Sequence, residues 1–178
     1  QRQMCIRDRV KTVMDIGTGA GFPGVPLKIA FPEMEACLLD SLNKRVKFLE
    51  ETFALLGLDG IFAIHGRAEE YAKNKAYREK YDLCVSRAVS GLATLSEYCL
   101  PYVKVGGLFV SYKSGSVKEE AEAAEKAVKI LGGKIRDIQY FELPGSEISR
   151  SLVIIEKVKN TPGKYPRKAG TPLREPLA

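Results

Sequence analysis

Short apolar runs alternate along the chain with segments of helical period, and this pattern predicts most of the fold. Five apolar runs in the first 114 residues have the length and composition of buried strands. They span residues 10–16, 34–40, 61–66, 81–88 and 106–114. Helical or looped segments separate them, so the pattern predicts a parallel sheet whose right-handed crossovers place helices on both faces.

The longest helical pattern in the first half follows the second apolar run. Its apolar residues recur at helical spacing, at Leu42, Val46, Leu49, Phe53 and Leu56. Ser41 is the expected N-cap of this helix and Gly57 its expected end. A shorter helix is predicted at residues 25–31, and another begins at Leu92 and ends near Pro101.

The pattern in the second half of the sequence predicts that this edge of the sheet is antiparallel. Residues 117–133 have the pattern of an amphipathic helix that ends at Gly132 and Gly133. Two longer strand patterns follow at 134–143 and 150–158, joined by the turn sequence PGSEIS. Strands this close in sequence pair as a hairpin, so we expect the sheet to end in an antiparallel pair.

Length and charge divide the chain into one domain and a basic tail. The 178 residues fit a single domain, which we place at residues 10–159. The net charge is +6, and residues 157–178 carry six basic residues against one acidic residue. We therefore predict an extended, basic, proline-rich C-terminal arm at 160–178 that contacts a polyanion, with a solvated, disordered end as the alternative. Residues 1–9 are expected to be a non-native or disordered leader.

Composition disfavours several classes of protein and site. The chain has no long apolar run and no apolar core in its first residues, so neither a membrane span nor a signal peptide is expected. The four cysteines are Cys5, Cys37, Cys84 and Cys99, and none forms a C-x-x-C pair. Together with the single histidine, His65, they match no metal-site spacing. We therefore expect reduced core thiols, no metal and a cytoplasmic location.

The turn after the first strand is the most informative motif. The sequence DIGTGAGFPG places Gly17 and Gly19 where a dinucleotide fingerprint has its first two glycines, but Phe22 stands at the third position. A phenylalanine there prevents the close approach of helix and strand, and Pro23 removes an amide that a pyrophosphate would use. A dinucleotide is therefore disfavoured, and a ligand without phosphate, such as S-adenosylmethionine, fits the turn better.

Polar residues at the other strand ends would complete such a site, because ligands of parallel sheets bind at the carboxyl ends of the strands. Asp40 ends the second strand and is placed to accept both ribose hydroxyls, with a helix-capping role as the alternative. The backbone of Ala68 and the carboxylate of Glu69 follow the third strand, near the expected adenine, although the helix dipole also favours an acid there. Arg87 ends the fourth strand, where a structural ion pair is the alternative to a place in the cleft.

These motifs together resemble the glucose-inhibited division protein B family, the bacterial small-subunit rRNA guanine-N7 methyltransferases. The resemblance rests on DIGTGAGFPGVPLKI, LLDSLNKRVKFLEE, RAEE, YDLCVSRAV and the closing KNTPGKYPRKAGTPLREPL. It implies an α/β, Rossmann-like class I S-adenosylmethionine-dependent methyltransferase domain at 10–159. That fold has a seven-stranded sheet with an antiparallel last strand and helices on both faces.

The resemblance also implies the cofactor and the site. The cofactor is S-adenosylmethionine, and the family's contacts to it correspond to Gly17, Phe22, Ala68, Glu69 and Arg87. Asp40 stands at the usual ribose-binding position of the wider fold, and Gly19 belongs to the same turn as Gly17. Guanine N7 offers a free lone pair, so no general base is needed. Arg87 and Lys113, at the end of the fifth strand, are the candidate catalytic contacts to guanine or phosphate, with a solvated lysine as the alternative for Lys113.

A use for the basic arm follows from the same resemblance. Lys164, Arg167 and Lys168 are the expected contacts to 16S rRNA or the small ribosomal subunit. Deletion of the residues after Asn160 is then expected to weaken rRNA binding more than cofactor binding. We expect a monomer. The rival functions are a small-molecule methyltransferase of the same fold, a nicotinamide-dependent oxidoreductase and a non-catalytic RNA-binding protein.

The start of the chain departs from the family pattern. Family members carry a helical segment ahead of the first strand, whereas this sequence begins almost at that strand. The first nine residues, QRQMCIRDR, do not resemble the family. We therefore expect a junction near residue 9 and a missing segment that bears on stability and on RNA docking.

Overall fold

The protein is described here from a computed structural model, which describes residues 10–177. The expected leader at 1–9, together with Cys5, lies outside the described residues. The strands are β1 (Thr12–Ile16), β2 (Glu35–Asp40), β3 (Ile61–His65), β4 (Tyr81–Arg87), β5 (Val103–Ser114), β6 (Gly133–Glu142) and β7 (Ser149–Lys157). The helices are α1 (Gly24–Ala30), α2 (Asn43–Leu56), α3 (Ala68–Tyr71), α4 (Leu92–Cys99), α5 (Lys118–Ile130) and α6 (Thr171–Arg174), with a 3-10 turn at Leu100–Tyr102.

The strands form one seven-stranded sheet in the order β3-β2-β1-β4-β5-β7-β6. Strands β1 to β5 pair in parallel, and β7 is antiparallel to both β5 and β6. The predicted fold, with its antiparallel last strand, is confirmed. The carboxyl ends of β1 to β5 share one edge of the sheet with the β6–β7 turn, and the strand order reverses there between β1 and β4.

Helices cover the two faces of the sheet unequally. On one face, α1 and α2 pack on the first strands through Val25, Leu49 and Phe53. On the other face, α3, α4 and α5 cover a larger core that extends to β7, with Leu95 and Phe109 fully buried. The larger core lies below the candidate site and holds the strand ends in register.

The start of α2 differs from the expectation. Leu42, rather than Ser41, is the N-cap residue, and no side chain of its own caps the helix. Asp40 instead supplies a hydrogen-bond acceptor at the start of this helix, because its Oδ1 accepts a hydrogen bond from the Leu42 amide at 2.9 Å. Gly57 adopts φ of 60° and ends the helix as predicted.

The C-terminal segment, residues 158–177, packs against the face that carries α3 and α4. Its chain is irregular for most of its length, as its prolines predict. Tyr165 is nevertheless only 8% exposed, and Arg78 donates from its NH2 group to the carbonyl of Thr161 at 2.8 Å. The expectation of an extended arm is therefore wrong for this part of the chain, because the segment lies on the body of the domain.

Three further observations concern the described residues alone. No helix between residues 10 and 177 has the length and apolar character needed to cross a bilayer. Cys37, Cys84 and Cys99 are buried free thiols. Residues 10–177 contain no group of three or more acidic, histidine or cysteine side chains that could hold a metal ion.

Candidate functional site

The turn between β1 and α1 has a shape that glycine permits. Gly17 and Gly19 adopt φ of 69° and 62°, in the left-handed region that L side chains rarely enter. A Cβ atom at Gly17 would lie 2.6 Å from Cγ2 of Val89, whereas one at Gly19 would meet nothing within 4 Å. The turn is therefore closed against Val89 at its start and open above Gly19, where a ligand could approach the backbone.

Asp15 holds this turn from inside the sheet. The residue is fully buried, and its Oδ2 accepts hydrogen bonds from Thr18 Oγ1 at 2.7 Å and from the Gly24 amide at 2.8 Å. Its Oδ1 is buried without a partner in the described structure. Burial raises the pKa of Asp15 to about 6, although the two hydrogen bonds and the charge of Arg87 oppose that rise. The sequence prediction missed Asp15; its signal was an acid inside an apolar run, directly before the glycine turn.

Asp40 ties the end of β2 to the glycine turn. Its side chain is buried, and Oδ2 accepts the Gly19 amide at 2.9 Å and Arg45 NH1 at 3.3 Å. Its Oδ1 accepts the Leu42 amide. A carboxylate oxygen can accept more than one hydrogen bond, so acceptor capacity remains for ribose hydroxyls. Asp40 thus combines a helix-end role with the position expected of a ribose ligand.

The end of β3 lies beside the end of β2. The Gly66 amide donates to the carbonyl of Asp40 at 3.0 Å, which places α3 next to the glycine turn. Ala68 and Glu69, both predicted for the adenine side of the site, are buried in α3. Glu69 is only 4% exposed, and its Oε1 accepts the Gly170 amide at 2.9 Å. The C-terminal segment therefore reaches this side of the site.

Arg87 stands at the end of β4 and contacts Phe22. Its guanidinium lies 5.4 Å from the centre of the Phe22 ring, which is 48% exposed. Within residues 10–177, the side chain of Arg87 forms no hydrogen bond and no ion pair, so the alternative of a structural ion pair is not observed. The hydrogen-bond donors of Arg87 are therefore available to a ligand.

A cavity of about 840 Å³ opens beside this pair, between α1, the ends of β4 and β5, and the β6–β7 hairpin. Its aromatic lining residues are Phe22, Tyr112 and Phe141, and its cationic ones are Arg87, Lys113 and Arg150. Glu120 is the carboxylate among the lining side chains. Aromatic rings beside cations suit a nucleotide, whose base stacks on the rings while the cations meet its acceptor atoms.

Lys113 and Glu120 bind each other at the rim of this cavity. Lys113 Nζ donates to Glu120 Oε1 at 2.7 Å and to the Ser90 carbonyl at 2.9 Å. The same Glu120 oxygen accepts the Leu92 amide at 2.7 Å. The predicted catalytic lysine is therefore neither free nor simply solvated, and one of its three donors remains for a ligand.

The three predicted RNA contacts of the C-terminal segment have different surroundings. Lys164 and Lys168 are exposed, and the Lys164 ammonium lies 5.3 Å from the centre of the Tyr165 ring. Arg167 instead binds the buried carboxylate of Glu97, with NH2 2.7 Å from Oε2. That hydrogen-bonded ion pair raises the pKa of Arg167 further. The structure thus separates Arg167 from the two lysines, whose contact with RNA stays a prediction.

Comparison with known sequences places this site in context. The model of the family described as GidB, rRNA small subunit methyltransferase G, matches residues 2–153. Ribosomal RNA small subunit methyltransferase G of Clostridium novyi is 53% identical over 169 residues, covering 95% of this chain and 70% of that protein. The protein of the same name from Lachnoclostridium phytofermentans is 55% identical over 166 residues, which cover 93% of this chain and 69% of that protein. The family model ends before the C-terminal segment, whereas the alignments with these two relatives cover more than nine tenths of the chain.

Solved structures support the fold. TrmN from Thermus thermophilus superposes with a TM-score of 0.62 at 17% identity, over 88% of this chain and 48% of that one. TYW2 from P. horikoshii, solved in complex with MeSAdo, superposes with a TM-score of 0.65 at 14% identity, over 85% of this chain and 60% of that one. The fold is that of the class I S-adenosylmethionine-dependent methyltransferases.

Proposed function

This chain belongs to the GidB family, rRNA small subunit methyltransferase G, and we propose that it methylates N7 of a guanine in 16S rRNA with S-adenosylmethionine as methyl donor. It is a methyltransferase of the class I fold. The names of its relatives support a small-subunit rRNA substrate. We expect the protein to act as a monomer in the bacterial cytoplasm, on free 16S rRNA or on the small subunit.

The strand ends on the β1–β3 side of the sheet fit the proposed cofactor. The open backbone at Gly19 and the acceptor capacity of Asp40 suit the methionyl and ribose parts, with Gly17 completing the turn. Ala68 and Glu69 would hold the adenine. When bound, S-adenosylmethionine supplies an electrophilic methyl group on a sulfonium centre.

The Arg87–Phe22 pair is the observation that carries the proposal. It stands where the glycine turn meets the 840 Å³ cavity, so both the methyl donor and a base would reach it. Guanine presents O6 and N7 as adjacent acceptors on its major-groove edge. Arg87 can donate to O6, and Phe22 can limit the base on one side, which aligns N7 without engaging its lone pair.

Methylation of other acceptor atoms would require a general base, and the one carboxylate among the described residues that line the cavity is already paired with a lysine. Glu120 is the carboxylate among its lining residues, and its Oε1 already accepts hydrogen bonds from Lys113 and Leu92. Methylation of a hydroxyl or an exocyclic amine releases a proton, whereas N7 accepts a methyl group through a lone pair and releases none. Glu120 therefore serves to hold Lys113, and the cations around the cavity favour guanine N7.

The direct test is methyl transfer to 16S rRNA transcripts made with guanosine or with 7-deazaguanosine, which has carbon in place of N7. We expect labelled methyl to enter the guanosine transcript alone and to create a site for N7-specific strand cleavage. Equal labelling of both transcripts would contradict N7 as the acceptor. Labelling of small molecules but not RNA would support the small-molecule rival, and RNA binding without S-adenosylmethionine binding would support the non-catalytic one.

A further inference from the structure

The C-terminal segment is anchored to the domain at its start by a buried lysine. Lys157 is fully buried and donates from Nζ to the carbonyls of Leu100 and Val103 and to Thr161 Oγ1, at 2.6, 3.1 and 2.8 Å. Glu79 lies 3.1 Å away as its counter-ion. Burial lowers the pKa of Lys157 to about 8. This anchor fixes where the segment leaves the sheet.

A second anchor lies further along the segment, on α4. Glu97 is fully buried and accepts three hydrogen bonds from the Arg167 side chain and one from its backbone amide. The side-chain contacts engage both carboxylate oxygens, a paired geometry that fixes direction as well as distance. Arg167 NH2 also donates to the carbonyl of Glu175 at 2.7 Å, which holds the end of the segment.

Between Arg167 and Glu175 the chain reaches the candidate cofactor site. The Gly170 amide donates to Glu69 Oε1, and within residues 10–177 the other oxygen of that carboxylate accepts no hydrogen bond. Glu69 belongs to α3, a helix of four residues that leaves few contacts of its own to fix the side chain. The C-terminal segment therefore supplies the contact that orients this carboxylate.

We propose that Arg167 is a positioning residue for the cofactor: by clasping Glu97 it holds the Gly170 amide on Glu69 and so orients that carboxylate toward the adenosine part of S-adenosylmethionine. The inference rests on the proposed function, which supplies the cofactor. Arg167 and Gly170 lie beyond residues 2–153, which the family model matches, whereas Glu69 and Glu97 lie within them. A carboxylate already fixed in its binding orientation loses less conformational entropy on binding, which raises affinity.

This role differs from the RNA contact expected for the same residue. An RNA contact would leave the guanidinium facing solvent, whereas the Arg167 side chain is directed to a carboxylate inside the domain. Loss of the Arg167–Glu97 contact would loosen the chain around Gly170, while the Lys157 anchor and the hydrogen bond from Thr94 Oγ1 to the Pro172 carbonyl, at 3.0 Å, would remain. Cofactor affinity, rather than RNA affinity, is then the quantity that Arg167 controls.

The test compares Arg167→Ala with Arg174→Ala by calorimetric titration of RNA-free protein with S-adenosylmethionine. Both substitutions remove one arginine from the same segment, but Arg174 is exposed, and within residues 10–177 its side chain makes no hydrogen bond and no ion pair. We expect the dissociation constant to rise about three- to tenfold for Arg167→Ala and to stay unchanged for Arg174→Ala. Arg167→Lys, which keeps one charged contact to Glu97, should recover part of the affinity.

A second variant, Thr161→Val, distinguishes a loss of cofactor positioning from a general loss of folding stability. This change removes the buried hydroxyl that joins Lys157 to the Leu131 carbonyl, far from Glu69 along the segment. We expect it to lower the midpoint of urea unfolding while the dissociation constant for S-adenosylmethionine stays at the parent value. In steady-state methyl transfer, Arg167→Ala should raise KM for S-adenosylmethionine while kcat changes little.

Each other outcome overturns a specific statement. A parent protein that binds no S-adenosylmethionine would overturn the proposed function and the inference together. A parent that binds, with Arg167→Ala binding equally well, would overturn the inference alone. Equal weakening by Thr161→Val, or a loss of RNA affinity without a loss of cofactor affinity in Arg167→Ala, would also overturn it.

Discussion

The two halves of the carboxyl edge of the sheet are built differently. At the ends of β1 and β2, the buried carboxylates of Asp15 and Asp40 bind the amides of Gly24, Gly19 and Leu42, so the turn is held by the protein itself. At the ends of β4, β5 and β6 and the start of β7, aromatic and cationic side chains line an open cavity. The side chain of Arg87 there forms no hydrogen bond within residues 10–177.

This difference indicates which half is completed by its ligand. A site whose amides already have fixed acceptors is preorganised for a small cofactor of constant shape. A cavity with unpaired donors and half-exposed rings is left for a partner that brings its own acceptors. Substitutions in the first half should therefore affect both stability and cofactor affinity, whereas substitutions in the second should affect methyl transfer alone.

The largest effect is expected from Asp40→Ala. The change leaves the amides of Gly19 and Leu42, both in part-buried hydrogen bonds, without their acceptor, at about 1–2 kcal/mol for each group. We expect the free energy of unfolding to fall by about 2–4 kcal/mol and S-adenosylmethionine affinity to fall about 100-fold. Urea unfolding and calorimetric titration measure the two quantities.

The matched control is Arg45→Ala. Arg45 contacts the same carboxylate at 3.3 Å, but its side chain is 48% exposed, so its loss should change stability by less than about 0.5 kcal/mol. If Asp40→Ala bound S-adenosylmethionine as tightly as the parent, the cofactor half would not be organised by this carboxylate.

The counterpart in the second half is Arg87→Ala. Removal of a positioned donor to the reacting base is expected to lower kcat/KM for rRNA methylation about 100-fold. The free energy of unfolding should stay within about 0.5 kcal/mol of the parent, because Arg87 is exposed and unpaired within residues 10–177. Arg87→Lys, which keeps the charge but not the planar donor group, should show an intermediate rate. A loss of several kcal/mol would show that the second half is structural too.

The sequence predicted the first half better than the second. Apolar runs that end in Asp40 or in glycine identify strand ends directly, because the strand period and the parallel topology put those ends on one edge. The positions of Gly19, Asp40 and Glu69 in the fold follow from local pattern alone. Arg150 and Phe141 did not emerge from the sequence, because the register of the β6–β7 hairpin decides that they line the cavity.

The basic C-terminal residues show most clearly that the number of charged residues in a segment does not predict which of them are exposed. Lys157 and Arg167 were both counted toward a basic tail expected to contact a polyanion, yet Lys157 is fully buried and Arg167 binds Glu97. Their partners lie far away along the chain, so no local window could reveal the pairs. Arg78 holds the C-terminal segment by donating to the carbonyls of Thr161 and Tyr165, and the sequence did not predict this contact for the same reason.

A smaller effect in the first half concerns pH. The pKa of Asp15 is raised to about 6 from 3.8, so the folded state binds this proton more tightly than the unfolded state. The contribution of Asp15 to the free energy of unfolding should therefore rise by about 1–2 kcal/mol as pH falls from 7.5 to 5. Asp15→Asn, which keeps an oxygen acceptor for Thr18 and Gly24, should flatten this dependence in urea unfolding. An equal slope in both proteins would contradict the assignment.

The smallest effect is expected from the two exposed lysines of the C-terminal segment. Lys164→Ala and Lys168→Ala should each weaken binding to 16S rRNA about two- to threefold at physiological salt, because each removes one contact to phosphate. Each should also lower the slope of log affinity against log salt concentration by about 0.7–0.9. Arg167→Ala should leave that slope unchanged, since its charge is paired with Glu97 inside the domain. Filter binding over a salt series measures all three variants. A slope change for Arg167→Ala equal to that of the lysine variants would mean that its guanidinium leaves Glu97 for phosphate when RNA binds.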